Sequence, residues 1–157
     1  MRRIDFLNRL KKEGKLALAE PSENIKQSYI RKSESNIISA KILSENDRLE
    51  EAVALLYYSM YHMLTALMFK TGIKSENHSA SILLLKEIFN IENSDISFAK
   101  KERVDKQYYV DFKITKEDVR DAIKTAEVFN NKVLDFISRL TNENINVYRE
   151  RFNEVVG

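Results

Sequence analysis

Apolar side chains recur every three or four residues along most of the chain, a spacing typical of helices that pack in a bundle. The longest stretch without Asp, Glu, Lys or Arg runs from Ala52 to Phe69, AVALLYYSMYHMLTALMF. At helical rise it spans about 27 Å, close to the thickness of a bilayer's hydrocarbon core. Three tyrosines, a histidine, a serine and a threonine interrupt it. We therefore predict a central helix covered on every side by other helices, not a membrane span.

This central helix has two unlike faces at 100° per residue. One face is purely apolar and holds Leu56, Met60, Met63 and Leu67. The opposite face is aromatic with polar tips and holds Tyr58, His62, Thr65 and Phe69. The second face is where chemistry could occur, or where the bundle satisfies a few buried hydroxyl groups.

Cap and turn signals mark the helix ends. Asp47 followed by Glu50 fits a capping box at the start of the central helix, and Gly72 stands where a left-handed C-cap would end it. Before it, Ser22 is the expected N-cap of a helix that runs to about Ser44. Because the break between these two helices is very short, we expect them to be antiparallel neighbours.

Two further main helices are predicted after the central one. Ser75 is the expected cap of a helix over 76–89. Thr115 and Asp118 fit a capping box that starts the last long helix, which ends near Leu140. The intervening segment 90–113 is the least regular, although its residues 99–105 are compatible with a further helix or part of one.

The fold class that follows is all-α: an antiparallel, up-and-down bundle of four main helices with short helices at both ends. No strand alternation persists over more than a few residues. We expect a single domain over 1–157, with an N-terminal arm at 1–20, a core bundle at 21–140 and a C-terminal helix at 141–157. The basic, amphipathic arm would either contact RNA phosphate or a partner, or dock on the bundle through Phe6 and Leu10.

Composition excludes several classes of protein. The 157 residues include three glycines, one proline and no cysteine. An all-β fold, a disulfide framework, a thiolate metal site and a cysteine nucleophile are thereby excluded. We expect no metal and no cofactor, because there are only two histidines and neither a glycine-rich phosphate loop nor an HExxH motif. The N-terminus lacks the apolar core of a secretory signal, so a cytoplasmic location is expected. The net charge of +2 permits nucleic-acid binding without arguing for it.

One stretch carries a family resemblance. The sequence EAVALLYYSMYHMLTALMFKTGIKSENHSASILLLKEIF resembles the core of a HEPN domain, particularly that of the small stand-alone prokaryotic HEPN proteins. The shared features are the helix at 57–62, then Gly72, then His78 at the start of the next helix. The segment ERVDKQYYVDFKITKEDV continues the resemblance, which covers roughly 21–140. It implies an up-and-down helical bundle, usually a homodimer.

The resemblance also implies an activity. In active HEPN ribonucleases, which this segment resembles, an arginine is followed after four to six residues by a histidine. These motifs are paired across a dimer interface, and the enzymes cut RNA without metal. Here Arg103 lies in the matching region, and Tyr108 stands at the histidine position. Tyrosine, with a pKa near 10, is a poor base at neutral pH. Either the site is therefore degenerate, or the proton-transfer role has moved to another residue, or the protein binds RNA without cutting it. A structural alternative for Arg103 is an ion pair with Glu102 or Asp105.

His62 and His78 are the candidate substitute bases. Arg103, Tyr108 and His62 are thus the candidate catalytic residues. Tyr58, His78 and Tyr109 are the candidate substrate-binding residues. A polar pocket would form if the fold brings Tyr58, His62, Arg103 and Tyr108 together. Otherwise His62 is a hydrogen-bonded core histidine, and His78 is a helix cap or a tie between helices.

Three functions remain open. The first is an RNA- or nucleotide-binding HEPN protein paired with a small nucleotidyltransferase in a toxin–antitoxin or defence system, since such small HEPN proteins are often encoded beside one. The second is a metal-independent RNA endonuclease that acts as a homodimer, against which the tyrosine at position 108 counts. The third is an interaction bundle without chemistry. Exposed aromatic residues within 98–112 weakly favour a dimer interface.

Overall fold

The computed structural model describes residues 2–108 and 113–157, with the side chains of 105–108 left out of the description. Within those residues it is an all-α bundle, as the sequence predicts. Its elements are α1 (Arg2–Lys12), β1 (Leu16–Leu18), α2 (Glu23–Glu45), α3 (Leu49–Thr71), β2 (Ile73–Ser75), α4 (His78–Glu87), α5 (Ser94–Tyr108), α6 (Lys116–Arg139) and α7 (Asn142–Val156).

The central position belongs to α3, which packs against α2, α5 and α6. Its predicted apolar face is buried, with Leu56, Met60, Met63 and Leu67 each no more than 2% exposed. This helix is long and apolar enough to cross a membrane, but 61% of its most apolar window is buried inside the protein. Its apolar character is therefore accounted for by the helices around it.

A small buried polar network holds α2, α3 and α6 in register. The Ser33 hydroxyl donates to the Ser59 carbonyl at 2.7 Å, and the Ser59 hydroxyl donates to the Ser33 carbonyl at 2.7 Å. Asn130 on α6 donates to the Ser59 hydroxyl at 2.9 Å. The small serines let α2 approach α3 closely and keep these buried groups hydrogen-bonded.

Of the predicted N-terminal caps, two are confirmed and two are wrong. The Ser22 side chain accepts from the Ile25 amide, and Thr115 forms a capping box with Asp118. The box predicted at Asp47 is wrong, because the helix begins one residue later behind Arg48, which makes no side-chain cap. The cap predicted at Ser75 is wrong because Asn77 caps α4 through its bond from the Ala80 amide. Asp47 instead has a φ of 61° and pairs with Lys116 at 2.9 Å.

Strands β1 and β2 pair antiparallel, with Leu16 opposite Ser75 and Leu18 opposite Ile73. Three-residue strands are too short for a sequence alternation to indicate them. Gly72, the predicted left-handed C-cap of α3, precedes β2 with a φ of 71°. Arg149 on α7 donates to the carbonyls of Ala19, Thr71 and Gly72 at 2.8, 3.1 and 2.8 Å. The C-terminal helix thereby fixes the turn that starts the second strand.

The N-terminal helix α1 lies against the bundle. Leu7 and Leu10 are buried, and Phe6 packs against the core as a half-buried ring. The segment that appeared least regular in sequence contains α5, fifteen residues long. Helix α5 packs on α3 and α6, which brings Arg103 to the central helix.

Candidate functional site

A groove of about 430 Å³ runs along α3 between α2, β2 and the start of α4. We call it the tyrosine–histidine groove. Its main lining residues are Tyr29, Tyr58, Tyr61, His62, Phe69 and His78. Three of these, Tyr58, His62 and Phe69, come from the aromatic face of α3, which is half-buried while the opposite face is fully buried. The helical periodicity therefore predicted the orientation of this face correctly.

His62 is held by α2. Its Nδ1 lies 2.8 Å from Oδ1 of Asn36, and its ring lies 5.7 Å from the ring of Tyr29. Burial lowers the pKa of His62 below its usual range, and the positive charge of Lys32 lowers it further. His62 is therefore a neutral imidazole at physiological pH.

His78 is the first residue of α4 and is tied to α3. Its Nδ1 lies 2.8 Å from the hydroxyl of Tyr57, and its ring stacks on Tyr61 with a centroid distance of 3.8 Å. Burial lowers the pKa of His78, and the charges of Lys100 and Arg103 act in the same direction. The low pKa favours a neutral imidazole, as expected from the sequence, but through burial and neighbouring charge instead of the helix start.

Arg103 extends from α5 to the tyrosines of the central helix. Its guanidinium carbon lies 5.5 Å from the ring centre of Tyr57 and 5.3 Å from that of Tyr58. These are cation–π distances, which favour a fixed position for the charge. Burial raises the pKa of Tyr57 far above its usual value, so its hydroxyl remains protonated. A positive charge thus lies beside the groove, on the side of Tyr58.

The structure brings together four of the six residues singled out in the sequence. Tyr58 contacts both Arg103 and His62, the latter with a centroid distance of 6.3 Å. His78 lines the groove together with Tyr58 and His62. Tyr108 ends α5, but its side chain is not described, and Tyr109 lies outside the described residues.

Sequence reasoning missed three residues of this arrangement. Tyr57 and Tyr61 lie in the aromatic run but off the face that the helical wheel selected. Their only signal was their place in the YYSMYH motif. Asn36 gave none, because its role depends on the register of α2 against α3.

The chemistry available in the groove is stacking, hydrogen bonding and the nearby positive charge of Arg103. Tyr29 and Phe69 are already stacked on each other, with rings 5.5 Å apart and 9° from parallel. The Tyr61 hydroxyl adds a contact with the Ser81 hydroxyl at 3.2 Å. Across residues 2–108 and 113–157, no group of three or more His, Asp or Glu side chains is arranged to hold a metal.

Most of the chain, including the residues of this groove, matches a known protein family. The family model described as HEPN domain matches residues 27–144. A Methanocaldococcus jannaschii protein named “Putative toxin MJ0605” is 27% identical over 114 residues, which are 68% of this chain and 84% of that protein. A Thermotoga maritima protein named “UPF0332 protein” is 28% identical over 127 residues, 75% of this chain and 92% of that protein. The matched region contains every described residue of the groove and Arg103.

Proposed function

This chain belongs to the HEPN domain family, and we propose that it binds RNA or a nucleotide through the tyrosine–histidine groove and Arg103. The observation that carries the proposal is the position of Arg103 over the rings of Tyr57 and Tyr58, next to an aromatic groove. Single-stranded nucleic acid is bound by aromatic faces that stack on bases together with cations that contact phosphates. This site offers both an aromatic surface and a cation, close together beside the central helix.

We further propose a cytoplasmic homodimer that works with a small nucleotidyltransferase-fold partner in a toxin–antitoxin or defence system. Support comes from the name of the Methanocaldococcus jannaschii relative, “Putative toxin MJ0605”, and from the family resemblance. Phe98, on the same helix as Arg103, is 62% exposed. A large exposed aromatic ring is suited to a protein interface.

A second candidate function is metal-independent RNA cleavage. It is favoured by the closeness of Arg103 to the Tyr57–His78 pair, since the guanidinium charge contributes to lowering the pKa of His78. In such a reaction the arginine would stabilise charge on the phosphorane, and a neutral histidine would take the proton of the 2′-hydroxyl. His62, with Nδ1 occupied by Asn36, would use its Nε2 for that step.

The test measures binding and cleavage together. Fluorescence anisotropy with a mixed structured RNA and with nucleoside triphosphates gives affinity, and gel analysis in EDTA gives metal-independent cleavage. Arg103→Ala is expected to weaken binding at least tenfold and to reduce the salt dependence of the affinity by about one phosphate contact. Lys101→Ala, an exposed cation on the same helix, is the matched control and is expected to leave both unchanged.

The outcomes separate the functions. Binding without cleavage, lost in Arg103→Ala, supports the binding function. Cleavage in EDTA that is lost in Arg103→Ala supports the nuclease, and loss in His62→Ala would identify the base. Absence of binding to RNA and to nucleotides would contradict both and leave an interaction bundle.

A further inference from the structure

We propose that the tyrosine–histidine groove is a subsite for one unstacked nucleobase, whose edge donates a hydrogen bond to Nε2 of His62 and accepts one from Nε2–H of His78. This inference rests on the proposed RNA or nucleotide binding and specifies which part of that ligand enters the groove. Its basis is that the two histidines of one groove are fixed in opposite tautomers.

The tautomer of His62 is set by Asn36. An amide Oδ1 can only accept a hydrogen bond, so the Nδ1 atom that lies 2.8 Å from it carries the proton. In a neutral imidazole the other nitrogen then holds a lone pair. Nε2 of His62 has no hydrogen bond to any described residue, and the ring lines the groove. His62 therefore presents an acceptor to a ligand.

The tautomer of His78 is set by Tyr57. The Tyr57 residue is completely buried, and among the described residues its hydroxyl has a hydrogen-bond partner only in Nδ1 of His78, at 2.8 Å. If Nδ1 carried the proton, the buried hydroxyl hydrogen would lack an acceptor, which costs about 1–3 kcal/mol. The hydroxyl therefore donates to Nδ1, and Nε2 of His78 carries the proton. His78 presents a donor to the same groove.

The two histidines are unsuited to binding a phosphate, because that role would require a protonated imidazole. Both are partly buried and lie near positive side chains, so burial and charge together keep both pKa values low. A ligand that suits one neutral donor and one neutral acceptor is itself neutral and carries the complementary pair. The hydrogen-bonding edge of every RNA base carries both a donor and an acceptor, but their order and spacing differ from base to base, and unpaired bases are recognised through these edges. One donor and one acceptor held in fixed positions therefore suit some bases better than others.

The walls of the groove suit a flat ring. Tyr29 and Phe69 present stacked aromatic side chains, and Tyr58 also lines the groove. Stacking of one base on an aromatic side chain is worth about 1–3 kcal/mol and tolerates any base. A volume of about 430 Å³ is in the range of small-ligand pockets and is too small for a duplex. Lys32, whose ammonium lies 5.0 Å from the Tyr29 ring centre, and Arg103 are placed to contact the phosphates on either side.

The experiment compares base preference in wild type and histidine variants. Affinities are measured by anisotropy for single-stranded rA, rC, rG and rU oligonucleotides of equal length and for an RNA duplex of that length. We expect wild type to bind the best homopolymer at least tenfold more tightly than the worst, and to bind the duplex more weakly than the best single strand. His62→Phe and His78→Phe keep a flat ring but remove the acceptor or donor, and each is expected to reduce that preference to threefold or less.

Two further variants guard against effects of misfolding. Asn36→Leu leaves every groove side chain in place but releases the tautomer of His62, and it is expected to reduce the preference in the same way. Tyr148→Phe, on α7 and outside the groove, is the control and is expected to retain it. Circular dichroism melting confirms that each variant tested is folded.

The results distinguish this inference from the function on which it rests. If wild type binds all four homopolymers equally, or if the folded histidine variants keep the wild-type preference, the base subsite is wrong while RNA binding stands. If wild type binds neither RNA nor nucleotides, the proposed function and the subsite fail together. A preference that disappears in the histidine and Asn36 variants, but persists in Tyr148→Phe, supports the subsite.

Discussion

The hydroxyl of Tyr57 lies 2.8 Å from Nδ1 of His78 and joins the centre of the bundle to the first residue of α4. The tyrosine side of this bond is fully buried, whereas His78 faces the groove. A group in the core thus determines which hydrogen bond His78 can offer at the surface. The stability of the fold and the chemistry of the groove are linked through a single contact.

Tyr57→Phe removes this contact and leaves the ring in place. We expect a loss of about 1 kcal/mol in the free energy of unfolding, measured with urea, because a half-buried imidazole nitrogen loses its donor. Tyr148→Phe deletes the same atom from a half-buried tyrosine whose hydroxyl bonds no described residue, and it is expected to change stability by less than about 0.5 kcal/mol. Equal effects in the two variants would mean that the Tyr57–His78 bond contributes nothing.

The lowered pKa values of His62 and His78 predict a loss of stability in mild acid. Above the unfolded pKa of about 6.5, neither state is protonated and stability is at its full value. As the pH falls below 6.5 the unfolded chain takes up protons that the folded histidines resist, so the free energy of unfolding falls until the lower folded pKa is reached.

Urea unfolding between pH 8 and pH 5 measures this effect. Glu23 and Glu92, whose pKa values are lowered by lysines, act only at lower pH. His62→Phe and His78→Phe are each expected to make the pH dependence shallower. A free energy of unfolding that stays constant or rises from pH 7 to pH 5 would contradict the assignment of neutral histidines.

Gly72→Ala tests the turn between α3 and β2. Gly72 has a φ of 71°, and a Cβ there would collide with the Arg149 side chain and the carbonyl of Ala19. Gly14 has a φ of 76° but open space around it, so Gly14→Ala isolates the backbone cost of about 1 kcal/mol. We expect Gly72→Ala to cost about 2–4 kcal/mol in all, because overpacking adds to the backbone cost. Equal urea midpoints for the two variants would show that the collision is relieved easily.

Local signals in the sequence predicted the fold well. The Thr115–Asp118 capping box and the Gly72 C-cap were correct because both depend on neighbouring residues. The Asp47 cap failed because the helix begins one residue later, behind Arg48, while Asp47 itself has a φ of 61° and pairs with Lys116 at the start of α6. The Ser75 cap failed for a local reason, because Asn77, two residues later, is the residue that caps α4.

The groove, too, could be predicted only in part from the sequence. The 100° periodicity placed His62 and Tyr58 on one face. A neutral His78 was expected from its place at a helix start, whereas its lowered pKa comes from burial and from the charges of Lys100 and Arg103. The partners that fix the two imidazoles could not be predicted, because Asn36 and Tyr57 depend on how α2 and α4 are aligned against α3. Residue identity indicated the candidates, and packing between helices determined their tautomers.

Asn36→Asp should change the chemistry of the groove without altering its shape. It places a carboxylate 2.8 Å from Nδ1 of His62, and a nearby negative charge favours the imidazolium. We expect the His62 pKa, followed by NMR, to rise above its value in wild type, so that Nε2 becomes a donor and the acceptor of the groove is lost. Asn24→Asp adds the same charge at an exposed position on the same helix and should leave His62 unchanged, with His78 as internal reference. A His62 pKa that responds equally to both substitutions would show that net charge, and not the Asn36 contact, governs this histidine.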